Sequence, residues 1–333
     1  MRAIHRWPWL LLALAVAPTA SGFELKVLTY NVAGLPEPLS GSHPEANHPQ
    51  ISPLLNAYDL VLVQEDFFYH ELLVADLEHP YQTIKDTNPG PLGTGLGDGL
   101  NSFSWLPFQD FTRVTWEECF GLVENASDCL TPKGLSYQRH VLAPGAFLDV
   151  YNWHSDAGGD PEDLAARRSN VRQLLAEVLA RSEGHAVLVM GDTNSRYTRD
   201  GDILPELIDG AGLADIWVEL ERGGERPAIG PSLNGGCATD PAGGECERVD
   251  KIFYRSSDRV ILEPLEHDVP VDTFSDANGE PLSDHDPVYA RFEVTVVPEP
   301  GAAVAGAAAA GTLLARVRTR RRRELRARTP ASR

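Results

Sequence analysis

The chain has 333 residues, 42% of them hydrophobic and 23% charged, with 48 acidic against 29 basic side chains and a net charge of −19. That is enough apolar material for one large core, or at most two small domains, and it excludes a disordered polyanion. An acidic surface repels polyanions at long range and lacks the basic footprint of nucleic-acid binding, which weighs against a DNA substrate.

Residues 1–22 carry Arg2 and Arg6, then the apolar run Trp9–Ala17, then small residues to Gly22, the order of a secretory signal. The run is too short to span a membrane as a stable helix, so export with removal of this segment is expected. Next come two predicted strands, Lys26–Val32 and Asp59–Gln64, and a weaker helix over Glu71–Leu77. Gly90–Gly99 is a glycine-rich loop without the GK[ST] ending of a P-loop, so it reads as a flexible surface segment. Phe147–Trp153 alternates as a strand. Pro161–Arg181 is the best helix, with Pro161 in its first turn and an apolar stripe of Leu164, Val171, Leu174, Leu175 and Val178. Ala186–Met190, Arg248–Tyr254 and Pro287–Val297 complete the strands, with a second exposed glycine-rich loop at Gly223–Gly244.

Cys119 with Cys129, and Cys237 with Cys246, are each close in sequence, and export predicts two local disulfides. Neither pair has the C-x2-C spacing of a zinc site. The end of the chain is polarised: Val297-Pro298-Glu299-Pro300, an alanine-rich stretch Gly301–Ala315, then nine arginines from Arg316 to Arg333. The Pro-Glu-Pro motif, apolar helix and basic end resemble the PEP-CTERM sorting signal of bacterial exported proteins. That resemblance implies transient anchoring, processing by a sorting machinery and release or surface attachment. Residues 23–297 are then the catalytic domain and 298–333 the tail. The two ends hold 11 of the 29 basic residues and two of the 48 acids, leaving the domain 18 basic and 46 acidic residues, a net of −28.

Strand after strand ends in a chemically able side chain: Asn31, Glu65, His154, Asp192 with Asn194, Asp250, and Asp284-His285 before the last. A layered sheet protein gathers strand ends at one rim, and six such ends indicate a built site. In order, Thr29-Tyr30-Asn31-Val32, Val63-Gln64-Glu65, Gly191-Asp192-Thr193-Asn194, Val249-Asp250-Lys251-Ile252 and Ser283-Asp284-His285-Asp286-Pro287, with His154 between, resemble the endonuclease/exonuclease/phosphatase superfamily. The match runs from about residue 25 to about residue 295. The resemblance implies an α/β four-layer sandwich, similar to deoxyribonuclease I, of two packed mixed sheets flanked by helices.

Glu65 is a hard oxygen ligand suited to Mg²⁺ (or Mn²⁺), with Asn31 helping to hold the cation or its water and Asp284 as a further carboxylate. His285 is the general base or acid, being the side chain that titrates near neutrality. By resemblance Asp250 orients it, Asp192 aligns the attacking water, and Asn194 donates to the phosphate. His154 would donate to a phosphoryl oxygen as charge builds. Direct hydrolysis of a phosphate ester follows, with no covalent enzyme intermediate. Lys133, in Leu130-Thr131-Pro132-Lys133-Gly134 ahead of a strand that ends in His154, resembles neutral and bacterial sphingomyelinases, where it could meet a phosphate. Trp105-Leu106-Pro107-Phe108 with Phe111 is the one candidate for a membrane-facing apolar segment. A phospholipid is therefore the first expected substrate, with nucleic acid or a sugar or inositol phosphate as alternatives and an inactive surface-binding module as the non-enzyme reading. A monomer is expected.

Overall fold

The computed structural model describes residues 21–299, apart from 38, 91–92, 94 and 123–124. In chain order the elements are β1 (Ser21–Asn31), α1 (Pro44–Leu54), β2 (Leu60–Gln64), α2 (His70–Leu73), β3 (Tyr81–Gln82), β4 (Asn101–Ser104), β5 (Phe108–Thr115), β6 (Gly134–Ala143), β7 (Ala146–His154), α3 (Pro161–Arg181), β8 (Ala186–Asp192), α4 (Leu204–Ala211), β9 (Ala214–Asp215), α5 (Ile216–Glu221), β10 (Asp250–Arg255), β11 (Val260–Asp268) and β12 (Val288–Val296). They form two six-stranded sheets, ordered β11-β12-β1-β2-β4-β3 and β5-β6-β7-β8-β10-β9. Both are mixed: β1/β2 and β7/β8 are parallel, while β2/β4, β6/β7 and β8/β10 are antiparallel.

Period-two alternation sorts the side chains into layers. Leu25 and Val27, Leu60 and Leu62, Leu148 and Val150, Leu188 and Met190, and Ile252 and Phe292 fill the space between the sheets. The opposite parity of β7 and β8, Tyr151, Trp153, Val187 and Val189, meets Val171, Leu174 and Val178 of α3 and Leu204, Leu207 and Ile208 of α4. The opposite parity of β1 and β2, Leu28, Tyr30, Val61 and Val63, meets Ile51 and Leu55 at the end of α1. Helices, sheet, sheet and helices make the four-layer α/β sandwich that the motifs implied. Gly191 is required where β7 and β8 meet: a Cβ there would stand 2.0 Å from the Trp153 carbonyl oxygen.

Several expectations need correction. The helix expected over Glu71–Leu77 is a single turn, His70–Leu73. The strand expected at Lys26 begins at Ser21, inside the segment assigned to the signal. The loop at 90–99 is not wholly a surface segment: Asp98 is buried, and a Cβ on Gly99 would stand 2.4 Å from the Phe67 ring. In the aromatic segment at 105–111 the side chains are engaged by neighbours, although Trp105 is 41% exposed. Trp105 lies against His79 with ring centroids 5.4 Å apart, Phe108 lies against His140 and Phe111, and Leu106 packs on the inter-sheet core. Both disulfides are present, Cys119–Cys129 and Cys237–Cys246. Residues 1–20 and 300–333, which hold most of the proposed signal and sorting tail, lie outside the described residues. No helix among the described residues is long and apolar enough to cross a membrane.

Candidate active site

The inward-facing rows of the sandwich turn from apolar to polar at one end. Leu25 and Val27 of β1 are followed by Thr29 and Asn31, and Leu60 and Leu62 of β2 by Gln64. Val150 of β7 is followed by Asn152 and His154, and Met190 of β8 by Asp192. β10 runs the other way and contributes its first residue, Asp250, in register with Asp192. Below these ends lies a floor of buried amides. Gln64 Nε2 donates to Asn152 Oδ1 at 2.7 Å and to Thr29 Oγ1 at 3.0 Å, and Asn152 Nδ2 donates to the Val63 carbonyl at 2.9 Å. These bonds tie β1, β2 and β7 together beneath the rim and set the register on which it depends.

Three non-glycine residues at this rim have positive φ: Ala33 at 49°, Glu65 at 58° and Asn194 at 47°. Such backbone costs free energy and persists where surrounding bonds enforce it. Here Gly34 N and Phe67 N both donate to the Glu65 carbonyl, and Asn194 N donates to Asp192 Oδ1 at 2.9 Å. The turns direct Glu65 and Asn194 toward the cleft at the points where their strands stop.

The rim residues form one connected set. His285 Nδ1 bonds Asp250 Oδ2 at 2.8 Å, and its Nε2 faces Asp192 Oδ2 at 3.8 Å. Asn31 Nδ2 donates to Glu65 Oε1 at 3.0 Å and to Asp192 Oδ2 at 3.2 Å. His154 Nε2 lies 3.4 Å from Asp192 Oδ2, 3.8 Å from Glu65 Oε1 and 3.0 Å from Lys133 Nζ. Ser283 Oγ donates to the Asn31 carbonyl at 2.7 Å, which ties the segment before β12 to β1. Asn194 Nδ2 donates to the Ser155 carbonyl at 3.2 Å.

Two placements differ from the roles expected of the residues. The Asn31 oxygen accepts from Ala33 N at 3.0 Å, so the side chain meets Glu65 as a donor that fixes the carboxylate. The Lys133 ammonium is half-buried and already engaged by Asp128 and His154. Asp284 lies on the exposed side of the rim, next to Gly41, where an added Cβ would stand 2.8 Å from its Oδ2.

Charge explains the titration of these groups. Burial works to raise the Asp192 pKa, but His285, His154 and Lys133 outweigh it and hold the carboxyl well below the usual carboxylate range. Asp250 is pushed up by burial and by Asp192, with His285 opposing. Burial works against the His285 imidazolium, yet the Asp250 and Asp192 carboxylates raise its pKa well above 6.5. Glu65, Asp192, Asp250 and Asp284 bring four carboxylates to this rim. A hard-oxygen donor set of this kind fits a hard divalent cation, and the Glu65 carboxylate is 22% exposed.

Sequence reasoning missed the cleft arginines. Arg196, Arg199 and Arg248 line the same open cleft as Asn194, Asp250 and His285. Arg199 is paired with Asp202 at 2.6 Å, Arg248 with Asp286, and Arg196 NH1 donates to the Glu247 carbonyl at 2.9 Å. The closeness of Arg196 and Arg199 to Asn194, and of Arg248 to Asp250, was the available signal, and the strongly negative total obscured it.

A sequence model of the endonuclease/exonuclease/phosphatase family matches residues 28–285. A sphingomyelinase of Mycobacterium tuberculosis is 39% identical over 278 residues, which is 82% of this chain and 53% of that protein. The chain therefore spans about half the length of the curated relatives it matches. Among solved structures, a beta toxin variant of Staphylococcus aureus with bound magnesium ions superposes with a TM-score of 0.54 at 17% identity, covering 80% of this chain and 99% of that one. Sphingomyelinase C from Streptomyces griseocarneus superposes with a TM-score of 0.53 at 20% identity over the same shares. At these identities the superpositions speak for the fold.

Proposed function

The chain belongs to the endonuclease/exonuclease/phosphatase family, and on that premise we propose that it is an exported, metal-dependent phosphodiesterase that removes the headgroup of a phospholipid such as sphingomyelin. The observation that carries the reading is the His285–Asp250 pair at 2.8 Å, set opposite Asp192, in a chain 39% identical to a sphingomyelinase over most of its length.

Asp250 accepts the Nδ1 proton of His285 and so leaves Nε2 to take a proton from water in the space toward Asp192. Asp192, ionised by its neighbours, orients that water by accepting a hydrogen bond from its other O–H. Asn194, one amide hydrogen spent on Ser155, has the other for a phosphoryl oxygen. Lys133, 3.0 Å from His154 Nε2, brings positive charge to the site that would meet the phosphate. Glu65, fixed by Asn31, would hold a Mg²⁺ ion, with Asp284 beside the opening. When bound, the ion polarises the phosphoryl oxygen and stabilises the leaving oxygen. The signal-like and sorting-like ends support export.

The test is hydrolysis by the purified protein with Mg²⁺ of sphingomyelin liposomes beside plasmid DNA, with His285→Ala as the control. Release of choline phosphate that disappears in the control supports the lipid reading. Nicked plasmid with intact lipid transfers the protein to the nuclease branch of the family.

A further inference from the structure

Beside Lys133, next to the cleft-lining Gly158, three carboxylates meet. Asp128 comes from the short 3-10 turn beside Cys129, Asp156 from the loop after β7, and Asp163 from the first turn of α3. Each residue is only 1% exposed, and one oxygen of each lies within 4.8 Å of the other two. The bonds around them leave two oxygens unused. Asp128 accepts from Lys133 Nζ and, at 2.9 Å, from Ala157 N. Asp156 Oδ2 accepts from Phe120 N at 2.8 Å, and Asp163 Oδ2 from Asp160 N at 2.8 Å. Asp156 Oδ1 and Asp163 Oδ1 are sealed from solvent and accept from no donor among the described residues.

Three buried carboxylates thus face one ammonium. The nearby Arg167 guanidinium lessens that excess without removing it. It shares Asp202 with Arg199, at 3.0 Å and 2.6 Å, and donates to the backbone carbonyls of Asp156, Ala157 and Gly158. A buried carboxylate oxygen without a partner is costly, and like charges this close raise the cost further. We propose that Asp128, Asp156 and Asp163 hold a structural divalent cation, Ca²⁺ in preference to Mg²⁺. The preference follows from the donors. They are hard oxygens from a 3-10 turn, a loop and a helix start, on two chain segments, which suits the larger ion's irregular coordination by six to eight oxygens at about 2.3–2.6 Å. Mg²⁺ demands a near-octahedral shell and releases its waters reluctantly. Oxygens up to 4.8 Å apart are within the span of one Ca²⁺. The cation would clasp the disulfide-closed segment that precedes Lys133 and the loop that follows His154 to the start of α3. It would then fix both members of the Lys133–His154 contact, whatever substrate the cleft takes.

The test uses the full chain, freed of metal by chelator and then dialysed, in a Glu65→Gln background that removes the cleft carboxylate. Ca²⁺ binding is counted by calorimetry and Tm is followed with added CaCl2. The expected result is one Ca²⁺ per chain and a Tm rise of about 5–10 °C at a hundredfold excess over Kd. Both effects should be lost on adding Asp156→Asn or Asp163→Asn, each nearly isosteric and able to keep the backbone bond of the side chain it replaces. An unmoved Tm in the parent, with either asparagine variant more heat-stable than the parent in chelator, would mean that a proton balances the cluster and would overturn the proposal. An equal response to MgCl2 would overturn the preference for calcium.

Discussion

Asp250→Asn is the most informative change to the cleft. The carboxylate lies 2.8 Å from His285 Nδ1, is 4% exposed, and has Arg248 as its other cationic neighbour. Two unit charges about 4 Å apart interact by about 4 kcal/mol at an effective dielectric constant of about 20, which sets a ceiling. Solvent at the 23% exposed imidazole reduces it, and an opposite charge in such a place shifts a pKa by about 1–3 units. Asp192, 3.8 Å from Nε2, remains in the variant and keeps part of the support. His285 acts as a base only when neutral, and its pKa is raised well above 6.5, so activity should climb as the pH rises through that value. In Asp250→Asn this acid limb should move down by about 1–3 units. The asparagine can also turn its amide toward Nδ1 and favour the wrong tautomer, so the plateau of kcat/KM should fall by about 10²–10⁴-fold. The assay is a pH profile of kcat/KM with a chromogenic phosphodiester at saturating Mg²⁺. Tm serves as the control and should not fall, because a buried charge has been removed. A variant with an unmoved acid limb and kcat/KM within twofold of the parent would refute the assignment of His285 as the base that Asp250 orients.

Other consequences follow from buried charge and close packing. Lys133→Ala leaves Asp128 without its ammonium, and breaking a buried pair of this kind costs about 3–5 kcal/mol, measurable as a lower urea midpoint with unchanged m. His140 is held neutral, Nδ1 donating to the Pro107 carbonyl at 3.1 Å and Nε2 accepting from Gln138 at 3.0 Å, and burial pushes its pKa down to about 4. Between about pH 6.5 and 4 the unfolded chain binds the proton that the fold refuses. Its contribution, up to about 3 kcal/mol, is therefore present above pH 6.5 and lost as the pH falls to 4. His140→Gln should flatten that part of the stability profile. Gly191→Ala places a Cβ 2.0 Å from the Trp153 carbonyl oxygen and should destabilise by about 1–3 kcal/mol or more, with loss of activity because Asp192 is displaced with the strand. The cleft arginines are already engaged by Asp202, Asp286 and the Glu247 carbonyl. Hydrolysis should therefore depend weakly on salt, with a log–log slope near that of a single phosphate contact, about −1, where a steep slope would point to a polyanionic substrate.

What could be read in the sequence divides according to whether a residue's surroundings are local or assembled. Each of the six predicted strands is observed, because Val61, Val63, Leu188 and Phe253 are buried on whichever face they point to and their strands read as apolar runs. The helix Pro161–Arg181 was legible to its ends because Pro161 begins it and its stripe has the helical period. The helix Pro44–Leu54 was missed because Pro49 and Pro53 stand inside it, and proline is ordinarily evidence against a helix. The strand Val260–Asp268 was missed for a similar reason: Pro264 and three acidic residues disguise it. An edge strand tolerates that proline through the register shift between Pro264 and Glu266. The site follows the same division. Each rim residue stands at a strand end that alternation alone could locate, so Asn31, Glu65, His154, Asp192 and Asp250 could be named one by one. That Lys133 turns onto Asp128 and reaches His154, and that Asn31 grips Glu65 with its nitrogen, depends on contacts that the strand pattern does not show. The acid cluster beside Lys133 is the clearest case. Asp128 lies in one ordinary polar stretch and Asp156 and Asp163 in another, beside Asp160 and Glu162, and only the fold closes water away from all three at once.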